Sequence, residues 1–353
     1  MNKKITVNEL SKILGVSRNT VSKALNNRPG ISEKTRKEIL DQAAALGYKK
    51  FTRQEMKTQL SIAFLTKTNV QAEGYWLNVM RGAEQVVGEY GHEMKLSFIK
   101  SEEEASLVLP QMINHNSIDG FIVAGCLSAP YTRKLMEVPL PKVLIDIDAE
   151  VFLDNLKTDI VLMQSEERVC QITRLLIESG HTEIGYIGGT TSQSFKERWL
   201  GFARAHREAG IPVNPKYCLT GKTPFYYQRY EDVATSLEVL DRFPTAFVCA
   251  NDLIALHAIK FLREKGVAVP EEMAITGFDR IKETEFLDFS LTTVDNNEFQ
   301  LGIRAAEELM LRIQRPQRPF GIIRLFTQVL IGESTTAYRM NPDARIAGQS
   351  SYR

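Results

Sequence analysis

No stretch of the 353 residues approaches the roughly 20 consecutive apolar positions that a membrane-spanning helix needs. A membrane protein is therefore not expected. The opening Met1-Asn2-Lys3-Lys4 runs straight into a polar helical pattern and offers no secretory apolar segment. Cysteine is scarce: Cys126, Cys170, Cys218 and Cys249 are scattered, form no CxxC and accompany no paired histidines. That usage fits a reduced, cytoplasmic protein with buried thiols and argues against a metal site. Enzyme signatures are missing too, with no GxSxG elbow, no GxxxxGK[ST] loop and no HExxH. Gly185-Tyr186-Ile187-Gly188-Gly189 reads as a strand end, and the five histidines stand in no acid–base constellation. Neither catalysis nor a cofactor is expected.

What is present is unevenly distributed. Residues 1–59 hold thirteen Lys or Arg against five Asp or Glu, a net of +8. The remaining residues carry 31 against 38, a net of −7, so an overall charge of +1 conceals a basic head on an acidic body. Such asymmetry points to a polyanion-binding arm joined to something else. The 43% hydrophobic and 25% charged content is that of a globular chain, and its length predicts a head plus one or two larger domains.

The basic head carries a helical pattern. Thr6 and Glu9 form a capping box, Val7, Leu10 and Leu14 an apolar stripe, and Gly15 a permissive turn. Ser17 caps a second helix whose Val21, Ala24 and Leu25 face inward. Arg18, Asn19, Ser22, Lys23 and Asn26 are left outside, all able to donate to base edges or phosphates. An amphipathic hairpin with a merely solvated face has the same pattern. A third helix tips the balance, with Ser32 as its cap, Thr35, Ile39, Ala43 and Leu46 at helical spacing and Gly47 at its end. Three short helices in under fifty residues predict a helix-turn-helix module.

Residues 49–60 read as a polar linker. Beyond them apolar runs alternate with helical patterns: strands over 61–66, 94–99, 119–124 and 142–147, with helices near 75–90, 102–114 and 131–137. A second series has helices at 166–179, 196–209, 230–241 and 252–264, and strands at 183–188, 217–219, 246–250 and 273–276. The rhythm predicts an α/β protein with parallel sheets in two lobes and a ligand cleft between them. The first lobe is expected over about 61–163 and 294–331, with a helix at 298–313 and a strand at 324–331. The second is expected over about 164–293, and 337–353 reads as a tail.

Ligands of open α/β sheets bind beyond the carboxyl ends of strands. Asn251 and Asp252 follow one strand, Asp279 another, and Arg198 lies in the helix after a third. An Arg, an Asn and an Asp converging there can bind vicinal hydroxyls or a small anion. Each has a plainer role available: Asp252 as a helix cap, Asp279 as a turn residue, Arg198 as partner of a surface acid. Tyr75-Trp76 and Phe225-Tyr226-Tyr227 supply either stacking walls or core.

These residues together resemble the lactose-repressor (LacI/GalR) family of bacterial transcription regulators, from residue 6 to about 336. In the head the resemblance lies in Gly15-Val16-Ser17-x-x-Thr20-Val21-Ser22 with Asn26, Ser32-x-x-Thr35-Arg36 and Leu46-Gly47-Tyr48. In the body it lies, in order, in Ser179-Gly180-His181, Ile187-Gly188-Gly189, Arg198-x-x-Gly201-Phe202 and Ala250-Asn251-Asp252. Gly277-Phe278-Asp279, Leu291-Thr292-Thr293-Val294 and Glu333-Ser334-Thr335 complete it.

The resemblance implies a helix-turn-helix head on a two-lobed, periplasmic-binding-protein-like core. It further implies a homodimer, or a tetramer, reading a palindromic operator in double-stranded DNA under control of a sugar or sugar phosphate. Arg18, Asn19 and Lys23 would face bases; Thr6, Ser17, Thr20, Ser22, Asn26 and Ser32 complete the DNA-binding set. Tyr75, Trp76, Asp146, Arg198, Phe225, Asn251 and Asp279 form the effector-binding set. The chain departs from the family at Lys23, where Arg is usual, and in a hinge without the family's proline, where Met56 is the apolar residue left for the minor groove. Gln164 and Gly332 stand where the family carries Asp and Arg. The expected function is a repressor of carbohydrate-related genes; the alternatives are a cytoplasmic solute-binding protein or a sugar-active enzyme on the same core.

Overall fold

The computed structural model describes residues 6–25, 30–46, 59–67, 73–115, 117–154, 156–221 and 229–336. Asn26, Met56, Phe225 and the segment 337–353 lie outside them. The chain divides into two compact units, Met1–Leu60 and Ser61–Arg353.

The first unit is three helices, α1 (Val7–Ile13), α2 (Arg18–Leu25) and α3 (Glu33–Ala45). A hydroxyl caps each one. Thr6 Oγ1 accepts from the Glu9 amide at 3.3 Å while the Glu9 carboxylate accepts from the Thr6 amide at 2.9 Å. Ser17 Oγ accepts from Thr20 N at 3.0 Å and Ser32 Oγ from Thr35 N at 3.1 Å. Gly15, at φ +65°, turns the chain between α1 and α2. Leu10, Val21, Ala24, Ile39 and Ala43 are buried, and Val7, Leu14, Val16, Leu25, Ile31 and Leu46 pack around them. Arg36 is buried as well, its guanidinium donating to the Lys23 carbonyl at 3.4 Å.

The second unit has two parallel sheets. β1 (Ser61–Lys67), β2 (Glu93–Ile99), β3 (Gly120–Ala124), β4 (Lys142–Ile145), β5 (Asp159–Met163) and β11 (Ile322–Leu325) form the first, in the order β11-β5-β4-β3-β1-β2. β6 (Ile184–Ile187), β7 (Cys218–Leu219), β8 (Ala246–Cys249) and β9 (Ala274–Thr276) form the second, in the order β7-β6-β8-β9. β10 (Thr293–Asp295) and β12 (Gln328–Leu330) pair antiparallel as a separate ribbon. The interior strands are buried throughout and mostly apolar, as strands covered on both faces must be.

Helices cover the sheets: α4 (Glu73–Glu89), α5 (Ser101–Ala105), α6 (Gln111–Asn114), α7 (Ala129–Met136) and α12 (Glu298–Gln314) belong with the first. With the second go α8 (Glu166–Glu178), α9 (Gln193–Ala209), α10 (Tyr230–Glu238), α11 (Asp252–Glu264) and α13 (Glu333–Thr336). α4 and α12 cross at glycines. A Cβ on Gly82 would fall 2.0 Å from the Phe299 carbonyl oxygen, and one on Gly302 would fall 1.8 Å from that of Val79. The far end of α12 is pinned by a buried pair, Arg312 donating to the two Asp159 oxygens at 2.8 and 3.0 Å. Asp159 also accepts from the Gly321 amide at 2.9 Å, which sets β11 beside β5.

Three elements differ from the sequence expectation. The helix expected over 102–114 is two short helices, because Leu107 takes φ +56° and Pro110 has no N–H to continue a helix. β5 was not anticipated; it is a short strand, Asp159 followed by four apolar residues, with no alternation to announce it. The strand expected over 324–331 breaks at Phe326–Thr327 into β11, which closes the first sheet, and β12, which joins the ribbon. After β12 the chain packs against the second sheet, where Ser334 Oγ donates to the Ile275 carbonyl at 2.6 Å. Of the four thiols, Cys126, Cys170 and Cys249 are buried and Cys218 is half-buried.

Candidate functional sites: a polar helix face and an inter-lobe cleft

On α2, Arg18 and Asn19 are exposed and Ser22 and Lys23 half-buried, opposite the buried Val21 and Ala24. Positions 18, 19, 22 and 23 share one helical face, so four groups able to reach base edges or phosphates stand in one stripe. Thr6, Ser17 and Ser32 are exposed and Thr20 is half-buried. Their hydroxyls are already engaged in caps, Ser17 with Thr20 at 2.8 Å and Ser32 with Thr35 at 2.7 Å. These residues therefore act first on helix geometry.

Within the second unit a cleft of about 1330 Å³ opens between the sheets. Its floor lies at the carboxyl ends of the strands, as the topology of parallel sheets dictates. Tyr75, Trp76, Asp146, Arg198, Asn251 and Asp279 all line it. Trp76 lies against Gly125 just after β3, and its ring is perpendicular to that of Tyr75, with centroids 5.0 Å apart. Asp146 follows β4 at φ +61°, and its Oδ1 accepts from the amides of Ile147 (2.9 Å) and Ser194 (3.1 Å). Burial holds its carboxyl above the usual range, against those hydrogen bonds.

Arg198 is the centre of the floor. It is 4% exposed, and it donates to the Ala250 carbonyl at 2.6 Å and to Asp279 Oδ1 at 3.1 Å. Its guanidinium carbon lies 3.7 Å from the ring centre of Phe278 and 4.9 Å from that of Phe195. Nε of Arg198 is buried with no hydrogen-bond partner among the described residues. Burial pushes the Asp279 carboxyl up to about 7, opposed by Arg198 and reinforced by Asp252 and Glu298. Asn296 connects the walls: its Nδ2 donates to Asp279 Oδ1 at 2.9 Å and to the Tyr75 hydroxyl at 3.3 Å.

Several plainer roles are corrected. The N-cap of α11 is Asn251, whose Oδ1 accepts from Ile254 N at 2.9 Å; Asp252 is the next residue. Asp252 is fully buried, and its carboxylate accepts from Thr293 Oγ1 (2.6 Å) and Ile281 N (3.0 Å), so it braces the floor from below. Arg198 pairs with Asp279 rather than with a surface acid. Gln164 turns aside to accept from Arg168 at 2.7 Å, and Gly332 lies at the cleft's edge.

Sequence reasoning missed Asn296, Ser194 and Phe278. The pair Asn296-Asn297 directly before a helical pattern was the available signal, since Asn297 caps α12. Among the described residues no group of three or more His, Cys, Asp or Glu is placed to hold a metal, and no helix is long and apolar enough to cross a membrane.

Both units of the chain match known families. Residues 6–50 match the model of bacterial regulatory proteins of the lacI family, and residues 173–335 match that of the periplasmic binding protein-like domain. The HTH-type transcriptional repressor PurR of Actinobacillus pleuropneumoniae is 31% identical over 317 residues, covering 88% of this chain and 91% of that one. The fold is similar to that of a transcriptional regulator CelR–cellobiose complex, with a TM-score of 0.68 and 23% identity, over 94% of this chain and all of that one. It is also similar to the lac repressor dimer bound to operator and the anti-inducer ONPF, with a TM-score of 0.67 and 20% identity, over 96% and 100%.

Proposed function

This chain belongs to the lacI family of bacterial regulatory proteins, and we propose that it is a DNA-binding transcriptional repressor switched by a small polar effector held between its core lobes. One observation carries the effector half: Arg198, Asp279, Asp146 and Asn251, contributed by both sheets, converge on one cleft under an aromatic wall. Carboxylates accept from hydroxyls, a guanidinium donates to them, and an aromatic face covers the apolar side of a sugar ring. A carbohydrate is therefore the first reading of the ligand. It agrees with the cellobiose bound by the CelR regulator of similar fold.

A nucleobase is the second reading, because a flat heterocycle with amide-like edges suits Arg198, Asp279 and the Trp76 ring equally. A thermal-shift screen over neutral sugars, sugar phosphates and nucleobases separates the readings. A shift from a neutral sugar that Asp279→Ala abolishes supports the first; a shift confined to nucleobases replaces it with the second.

For the head, α2 enters the major groove, and the protein works in the cytoplasm as a homodimer whose two heads read a palindromic operator. Half-sites should then lie about one or more helical turns apart, roughly 34 Å per turn. Binding should weaken steeply with salt, because phosphate contacts release counterions. A gel shift that is indifferent to salt between 50 and 200 mM, on the order of the range where such losses appear, would overturn the DNA-binding half.

A further inference from the structure

α9 is mounted on the first lobe at two separate points. At its start, Ser192 bridges to Asp148: the Gln193 amide donates to the Ile147 carbonyl and the Ala149 amide to the Thr191 carbonyl, each at 2.8 Å. One turn further, Glu197 Oε1 accepts from Arg324 on β11 at 2.5 Å and from Gln193 Nε2 at 2.9 Å. β4, which leads into the first mount, and β11, which carries the second, are separated by β5. The two mounts are thus roughly 10 Å apart across the sheet.

We propose that Arg324 and Glu197 are a positioning pair for the cleft, an inter-lobe ion pair that stops α9 from rolling and so keeps Arg198 seated over Phe278 and against Asp279. The inference rests on reading the cleft as the effector site.

The geometry gives the reason. Packing on α8, where a Cβ on Gly201 would fall 2.2 Å from the Glu166 carbonyl oxygen, holds the middle of α9. The hold on β11 fixes the turn that carries Arg198, at a different azimuth from the mount on Ile147–Ala149. Glu197 and Arg198 are consecutive, so their side chains leave the helix about 100° apart. Glu197 reaches β11 while Arg198 reaches the floor. Any roll that moves Arg198 must also break the Glu197 contact.

The pair is not an ordinary surface bridge. The Glu197 side chain is 7% exposed and that of Arg324 is 41% exposed, so a buried carboxylate is held by a cation that arrives from the open side. Without Arg324 the carboxylate keeps, among the described residues, only the Gln193 side-chain amide. It then gains from moving toward water, which drives the roll.

Hydrogen exchange of the full-length protein, free of DNA and of any added ligand, tests the pair. In Arg324→Leu the amides of 195–202 should exchange about five- to tenfold faster, while those of β1 keep their protection. Arg324→Lys, which retains the charge, should stay near the parent. If Arg324→Leu loses β1 protection, Arg324→Gln is read in its place. Exchange in 195–202 within about twofold of the parent, with β1 intact, would refute the role. Operator binding measured separately by gel shift keeps that outcome distinct from a failure of the repressor reading.

Discussion

The Arg198 guanidinium donates to Asp279 at 3.1 Å, and yet burial still lifts the Asp279 carboxyl to about 7. The ion pair offsets only part of the desolvation of the acid. An acid whose folded value exceeds its ordinary 3.8 takes up protons on folding. Its contribution to stability is complete below about 4 and is lost as pH rises through about 7. The ligand-free core should therefore lose stability as pH rises from about 4 to about 7, on the order of 1–4 kcal/mol at most. Asp279→Asn should flatten that slope in thermal melts; a variant that keeps the parent's slope would assign it elsewhere.

Arg18→Ala should weaken operator binding by about 1–3 kcal/mol, with the loss concentrated at one base-pair position. Competition gel shifts against single-base operator variants read this directly. Uniform weakening on every sequence would reassign Arg18 to a phosphate.

Asp159 and Arg312 predict the largest single loss of core stability. Arg312→Met leaves a fully buried carboxylate with, among the described residues, only the Gly321 amide, and should cost about 3–5 kcal/mol in denaturant unfolding. Asp159→Asn with Arg312→Met should recover part of that loss, because no unpaired charge remains. Equal destabilisation in the single and the double variant would contradict the account.

Thr6→Ala removes the hydroxyl arm of the capping box on α1. Head stability should fall by about 0.5–2 kcal/mol. Exchange of the α1 amides should rise while that of the core strands stays unchanged. Exchange in α1 equal to the parent's would show that the Glu9 arm suffices alone.

The head was legible almost residue by residue, since caps, the Gly15 turn and the spacing of Leu10, Val21 and Ile39 are local signals. The cleft was legible as a set, because the topology of parallel sheets gathers strand-end residues whatever their separation in the chain. What escaped depended on long-range geometry. β5 had no alternation to mark it, and β11 could not be told from β12 without knowing where each finds a partner. Asp252 looked like a helix cap because no local rule says that Thr293, forty-one residues away, donates to it. Asn296 joins Tyr75 to Asp279, the one 221 residues before it in sequence and the other 17.

The glycine crossing of α4 and α12 reaches further than packing. Tyr75 and Trp76 lie two turns before Gly82 on α4, and Glu298 lies one turn before Gly302 on α12, where it accepts from Asn78 at 2.9 Å. Main chain rests on main chain at that crossing, so the close approach of the helices depends on Gly82 and Gly302 carrying no side chain. Tyr75 and Trp76 stand two turns away from that contact, so the wall's position along the cleft is set by two glycines that never touch the cleft's contents.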